Sequence, residues 1–88
     1  MFDKETFRCI VTTEEESVLA VDATYAIVPT TEGLLGILVD RAPFVAAIGS
    51  GELIIRQREQ NHLFAVSGGV AHMRENVLTV LAATCKPV

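Results

Sequence analysis

The stretch LFAVSGGVAHMRENVLTVLA, residues 63–82, carries the signals on which the fold turns. Val70, His72 and Arg74 alternate with Ala71 and Met73, which is the period of two that marks a β-strand. Across Arg74-Glu75-Asn76 the run VLTVLA, residues 77–82, is expected to pair back onto that strand. Just before it, two consecutive glycines follow Ser67 inside an otherwise apolar segment. A nucleophile elbow needs G-x-S-x-G, and Ala65 stands where its first glycine belongs. A phosphate-binding loop must open a helix so that free N–H groups meet the anion, whereas here a strand pattern follows. Gly68 and Gly69 are therefore expected to bend the backbone at a bulge, a sheet corner or a close approach of another chain segment.

Outward from that stretch, short strands and tight turns recur. Phe7, Cys9 and Val11 alternate with Arg8, Ile10 and Thr12, and further strands are expected over residues 18–21 and 24–28 before Pro29 stops pairing. The turn residues of PTTEG, 29–33, precede an apolar run at 35–39. Asp40-Arg41-Ala42-Pro43 turns the chain again before a strand at 44–48, and Gly49-Ser50-Gly51 makes a third break. Strands at 52–57 and 62–66, joined by the polar turn 59–61, complete the pattern. Nine or ten short strands broken about every 8 to 12 residues predict an all-β, about ten-stranded β-sandwich. The helical rival is 14–20, where at most one turn survives because Val18, Val21 and Thr24 favour extended chain.

The 88 residues are expected to form a single domain spanning 1–88. A chain of this size buries only roughly 60 to 68 per cent of its unfolded surface, so its core is thin. With 50% hydrophobic residues and a mean hydropathy of +0.41, part of the apolar surface is expected to be buried against a partner. No apolar segment approaches the ~20 residues that cross a bilayer, so no direct membrane insertion is expected. MFDKETFRC at the start has no apolar signal region, and the protein is read as facing the cytosol. A net charge of −4 with seven scattered basic residues argues against nucleic acid and against an anionic membrane surface. Cys9 and Cys85 are expected as reduced, small apolar residues. Together with His62 and His72 they lack the spacing of a zinc site, so no metal and no cofactor is expected. Glu14, Glu15 and Glu16 read as a solvated charge run, and no Ser or Asp has an evident histidine partner; the chain does not read as an enzyme. From the residues alone a free-standing protein-binding sandwich stays open.

The run IVPTTEGLLGILVDRAPF, 27–44, followed by GEL from Gly51, FAVSGGV at 64–70 and VLTVLA at 77–82, resembles the epsilon subunit of rotary F-type ATP synthases. The ordered set covers essentially the whole chain without insertions. The resemblance implies a β-sandwich at the foot of the central stalk, a non-catalytic rotor subunit of the F1 sector that links the gamma subunit to the c ring. It would lie peripherally on the cytoplasmic face of the energy-coupling membrane and couple ion transport to ATP synthesis or hydrolysis. By the same resemblance the turn at Glu32 and Leu34 faces the c ring, Arg41, Pro43 and Ala46 lie toward gamma and the ring, and Thr13 meets gamma. Glu32, Leu34 and Arg41 are expected at one end of the sandwich.

The chain departs from the family pattern at some of these positions. Leu34 stands where an acid is usual, Arg41 where a histidine precedes Ala-Pro, and Thr13 where proline is common. Arg41 thus brings a permanent charge in place of a titrating one. Family members commonly continue into a helical hairpin that can inhibit ATP hydrolysis and in some cases binds ATP. Because this sequence stops at Lys86-Pro87-Val88, the expectation is a structural coupling subunit that binds no ATP.

Overall fold

A computed structural model describes residues 5–88; the first four residues of MFDKETFRC, the segment read as lacking a targeting signal, lie outside them. Among the described residues there are eight strands and no helix: β1 (Phe7–Thr12), β2 (Ser17–Ala23), β3 (Tyr25–Thr30), β4 (Gly33–Leu38), β5 (Phe44–Ala47), β6 (Ser50–Gln57), β7 (Gln60–Arg74) and β8 (Val77–Pro87). Hydrogen bonding links them in the order β2-β1-β8-β7-β6-β3-β4, with β5 added to β7. All neighbours are antiparallel except β1 and β8, which run parallel.

The count falls below nine or ten because the expected strands at 62–66 and 70–73 are one strand, β7. At ~3.3 Å per residue its 15 residues would span about 50 Å if straight, more than the 36 Å long axis of the molecule, so the strand must bend. It bends at Gly68 and Gly69, with φ of 75° and 109°, a region other residues avoid. The buried positions switch phase there, from Phe64 and Val66 to Ala71 and Met73. On β8, Leu78, Val80 and Ala82 are buried before the corner and Cys85 is half-buried after it. Both strands re-aim their pleat at one rung and keep their register, Ser67 opposite Thr84 and Gly69 opposite Ala82. Each therefore has a limb in each of two layers. One layer holds β2, β1, the first limb of β8, the second limb of β7, and β5; the other holds the remaining limbs with β6, β3 and β4. Their inner faces meet in a single core, where Cys9, Val11, Met73 and Leu78 share a cluster with Ile37, Leu53, Ile55 and Phe64.

Three boundaries differ from expectation. Pro29 does not end β3, since it sits opposite Leu34 in the pairing with β4. Its missing N–H faces Gly49, whose amide donates to the Pro29 carbonyl (2.9 Å) and whose own carbonyl accepts from Gly68 N (3.2 Å) instead. The break at 49–51 is confined to Gly49, because β6 already begins at Ser50. No helical turn forms over 14–20: Thr13 N donates to the Glu16 carbonyl (2.9 Å) in a tight turn and β2 begins at Ser17.

Candidate functional site

Thr13, Glu32, Leu34, Arg41 and Pro43 lie in or close to the connections between strands and Ala46 lies within β5, and the register decides which of them are neighbours. Glu32 occupies the two-residue turn between β3 and β4, shaped by Thr30, whose Oγ1 donates to the Gly33 carbonyl (2.6 Å) and accepts from Glu32 N (3.1 Å). That turn is tied to the end of β5, where Thr31 N donates to the Ala47 carbonyl (3.0 Å), and Glu32 lines a small hollow with Val45 and Ala46. Ala46 is half-buried opposite Ala71. Thr13 caps the β1–β2 turn, its Oγ1 accepting from Glu15 N and Glu16 N, both 3.3 Å. One rung runs from Thr12 through Leu81 and Val70 to Ala47, so Thr13, Ala46 and Glu32 share the corner end of the molecule.

Arg41 and Pro43 do not join them. β4 pairs with β3 along all six of its residues and does not double back, which leaves Glu32 at one of its ends and Arg41 beyond the other. The expectation that Glu32, Leu34 and Arg41 share one end is thereby overturned, because a fully paired strand cannot fold onto itself. β5 makes the return journey: Pro43 and Phe44 stand at the Arg41 end, Ala46 and Ala47 at the Glu32 end, roughly 10 Å apart at strand spacing. Two patches joined by one short strand replace the single patch.

Around Arg41 the chain makes a Leu38–Arg41 turn, with Arg41 N donating to the Leu38 carbonyl (3.3 Å) and Asp40 at φ 61°, the positive φ that a type II turn demands at its third residue. The Arg41 guanidinium lies 5.6 Å from the centre of the Phe44 ring, within cation–π range. Beside it Pro43, Phe44 and Val45 line an open, mainly apolar hollow of about 510 Å³ with His72, Met73 and Arg74.

Leu34 projects from β4 and is 76% exposed, and Leu38 on the same face is 64% exposed. β4 is an edge strand without a single charge. On the other layer Val45 is 77% exposed, with Val70 and Leu81 also open to solvent. The sequence reading did not single out Val45, Val70 or Leu81. Their signal was the excess of apolar residues on positions whose neighbours already fill the core, but alternation alone does not say which face is covered. Among the described residues no three His, Cys, Asp or Glu side chains converge as metal ligands, and no helix is long and apolar enough to cross a membrane. Cys9 and Cys85 are free thiols.

Gly68 and Gly69 mark a structural corner. A Cβ on Gly69 would collide with the Leu81 carbonyl oxygen and lie 2.9 Å from Ala82 Cα, while the Gly69 carbonyl accepts from Ile48 N (2.9 Å). What approaches the glycines is backbone from two neighbouring segments.

Residues 6–88 match the family model described as ATP synthase, Delta/Epsilon chain, beta-sandwich domain. Among curated relatives, the ATP synthase epsilon chain of Pelotomaculum thermopropionicum is 35% identical over 93% of this chain and 60% of its own length. The sodium ion specific ATP synthase epsilon chain of Propionigenium modestum is 36% identical over 88% of this chain and 56% of its own. The chain thus spans between half and two thirds of the length of these relatives. Among solved structures, a chain of the Euglena gracilis mitochondrial ATP synthase, in its OSCP/F1/c-ring assembly, superposes with a TM-score of 0.88 at 21% identity, over 94% of this chain and 54% of that one. A chain from the central stalk and c ring of the Tetrahymena thermophila enzyme gives 0.79 at 17% identity, over 98% and 69%. At those identities the likeness is one of fold.

Proposed function

The chain belongs to the family of ATP synthase delta/epsilon-chain β-sandwich domains, and from that membership we propose that it is a non-catalytic rotor subunit of the central stalk, joining gamma to the c ring. In this role residues 1–88 act as one sandwich domain, peripheral to the energy-coupling membrane on its cytoplasmic face, within the F1 sector. The match across residues 6–88 carries the reading. It is supported by exposed apolar surface on both layers, at Leu34, Leu38 and Val45, more than a small free-standing monomer needs.

We assign Glu32 and Leu34 to the c-ring side, and Thr13, Arg41, Pro43 and Ala46 to the face toward gamma and the ring. A rotor spacer must be stiff, and the hydrogen bonds of Thr31, Ile48 and Gly49 stitch the Glu32 turn to β5 and the glycine corner, so the two patches would move as one body. Leu34 replaces an acid, so at that contact apolar burial takes over from charge pairing.

The test is assembly with a gamma–c-ring subcomplex and ion-driven ATP synthesis after reconstitution. Arg41→Glu should leave folding intact, since Arg41 is exposed, and should weaken assembly by anywhere from under 1 to several kcal/mol depending on desolvation. Leu34→Asp should also alter assembly, by removing an apolar contact. Lys86→Glu, the same charge reversal on exposed β8, serves as control. If Arg41→Glu and Leu34→Asp both assemble and couple like Lys86→Glu, the interface assignment is wrong.

A further inference from the structure

We propose that Asn76, in the β7–β8 turn, is a positioning residue that sets the Arg41 loop for docking. The Asn76 side chain reaches across 36 residues of sequence: its Oδ1 accepts from the Asp40 amide at 2.8 Å, and its Nδ2 donates to the Thr6 carbonyl at 2.9 Å. Its own carbonyl accepts from Arg8 N at 3.0 Å. The Asp40 amide lies in the middle of the turn that presents Arg41, outside the 3.3 Å bond closing that turn, so the Asn76 carboxamide supplies the tie from the rest of the fold to that peptide. With Asp40 held, Arg41 follows on the next residue with its guanidinium over Phe44, which is itself fixed opposite Met73. A cationic group meant to meet a partner in one geometry needs such a support, because an untethered turn spends its binding free energy on ordering.

A competing explanation of Asn76 is that φ of 62° alone selects asparagine, as in many hairpin turns. The two separate cleanly in Asn76→Gly, because glycine suits that φ at least as well but carries no carboxamide.

The inference rests on the docking role proposed above, and the experiment has one arm that does not. In the isolated chain, hydrogen exchange of the Asp40 amide should accelerate by about tenfold or more in Asn76→Gly, while the Arg8 amide, bonded to the backbone carbonyl of residue 76, stays slow. Binding to a gamma–c-ring subcomplex should weaken by about tenfold in Asn76→Gly and show no further loss when Asn76→Gly is added to Arg41→Ala, since a residue acting through Arg41 has nothing left to position. Unchanged Asp40 exchange overturns the tie itself. Unchanged binding, or an equal loss in the Arg41→Ala background, overturns the positioning role. If the wild-type chain fails to bind while Asp40 exchange still responds, the docking function has failed, and the positioning role with it, although the tie is real.

Discussion

Cys9 is fully enclosed on β1, and burial pushes its thiol up to about 12, only partly offset by the Arg8 guanidinium beside it. In the unfolded chain the same thiol titrates near 9.0. The folded pKa is the higher one, so the stability linked to keeping this proton is fully present below about pH 9 and is lost as pH rises from there toward 12. Over that window one proton costs about 1.4 kcal/mol of stability per pH unit. Urea unfolding between pH 8 and 11 should therefore fall more steeply for wild type than for Cys9→Ala; parallel curves would remove Cys9 as the cause. Ellman's reagent should count the half-buried Cys85 in the native protein and both thiols in urea. The enclosure of Cys9 was legible in the alternation of Phe7, Cys9 and Val11 with Arg8 and Thr12, between which only Ile10 is apolar. The tie from Asn76 to Asp40 was not, because nothing local marks two residues 36 apart as hydrogen-bonding partners.

At the scale of elements, the bend shared by β7 and β8 decides how one hydrogen-bonded sheet becomes two layers. Gly69 has both a positive φ and a neighbouring carbonyl where a side chain would go. Strain at such a φ is worth roughly 1 to 3 kcal/mol, and the backbone collision adds to it. Gly69→Val should thus lower stability by about 3 kcal/mol or more, a large share of the roughly 5 to 15 kcal/mol that holds a domain. Gly36→Val, at an ordinary φ with open space around the glycine, should be close to neutral. Equal melting temperatures for the two variants would show that the corner tolerates a side chain. That Ser67-Gly68-Gly69 bends rather than reacts could be read from composition and period. That the strand continues through the bend could not, because continuity depends on β8 turning in step at Ala83.

At the scale of the molecule, the eight strands of the described residues wrap around one core and leave apolar residues facing outward on both layers, and the proposed contacts fall into two patches bridged by β5. Among the described residues no helix terminus is available to receive phosphate groups. Isothermal titration of this 88-residue chain with ATP should accordingly show no saturable site tighter than roughly 1 mM, about −4 kcal/mol. A tighter site would contradict a purely structural coupling role.

Composition and local period by themselves determined that this chain is all-β, where most of its strands lie, and that Gly68 and Gly69 bend the backbone. Each of those properties is set by a few consecutive residues, since a strand's alternation and a glycine's freedom at positive φ are local. Tertiary structure alone decided that Pro29 stays inside β3, that two expected strands are one, and that Arg41 stands apart from Glu32. These depend on which segment lies across the rung: Gly49 beside Pro29, β8 beside β7, and β3 along the whole of β4. Hydrogen-bond partners distant in sequence set them, and no pattern within a single strand encodes its neighbour.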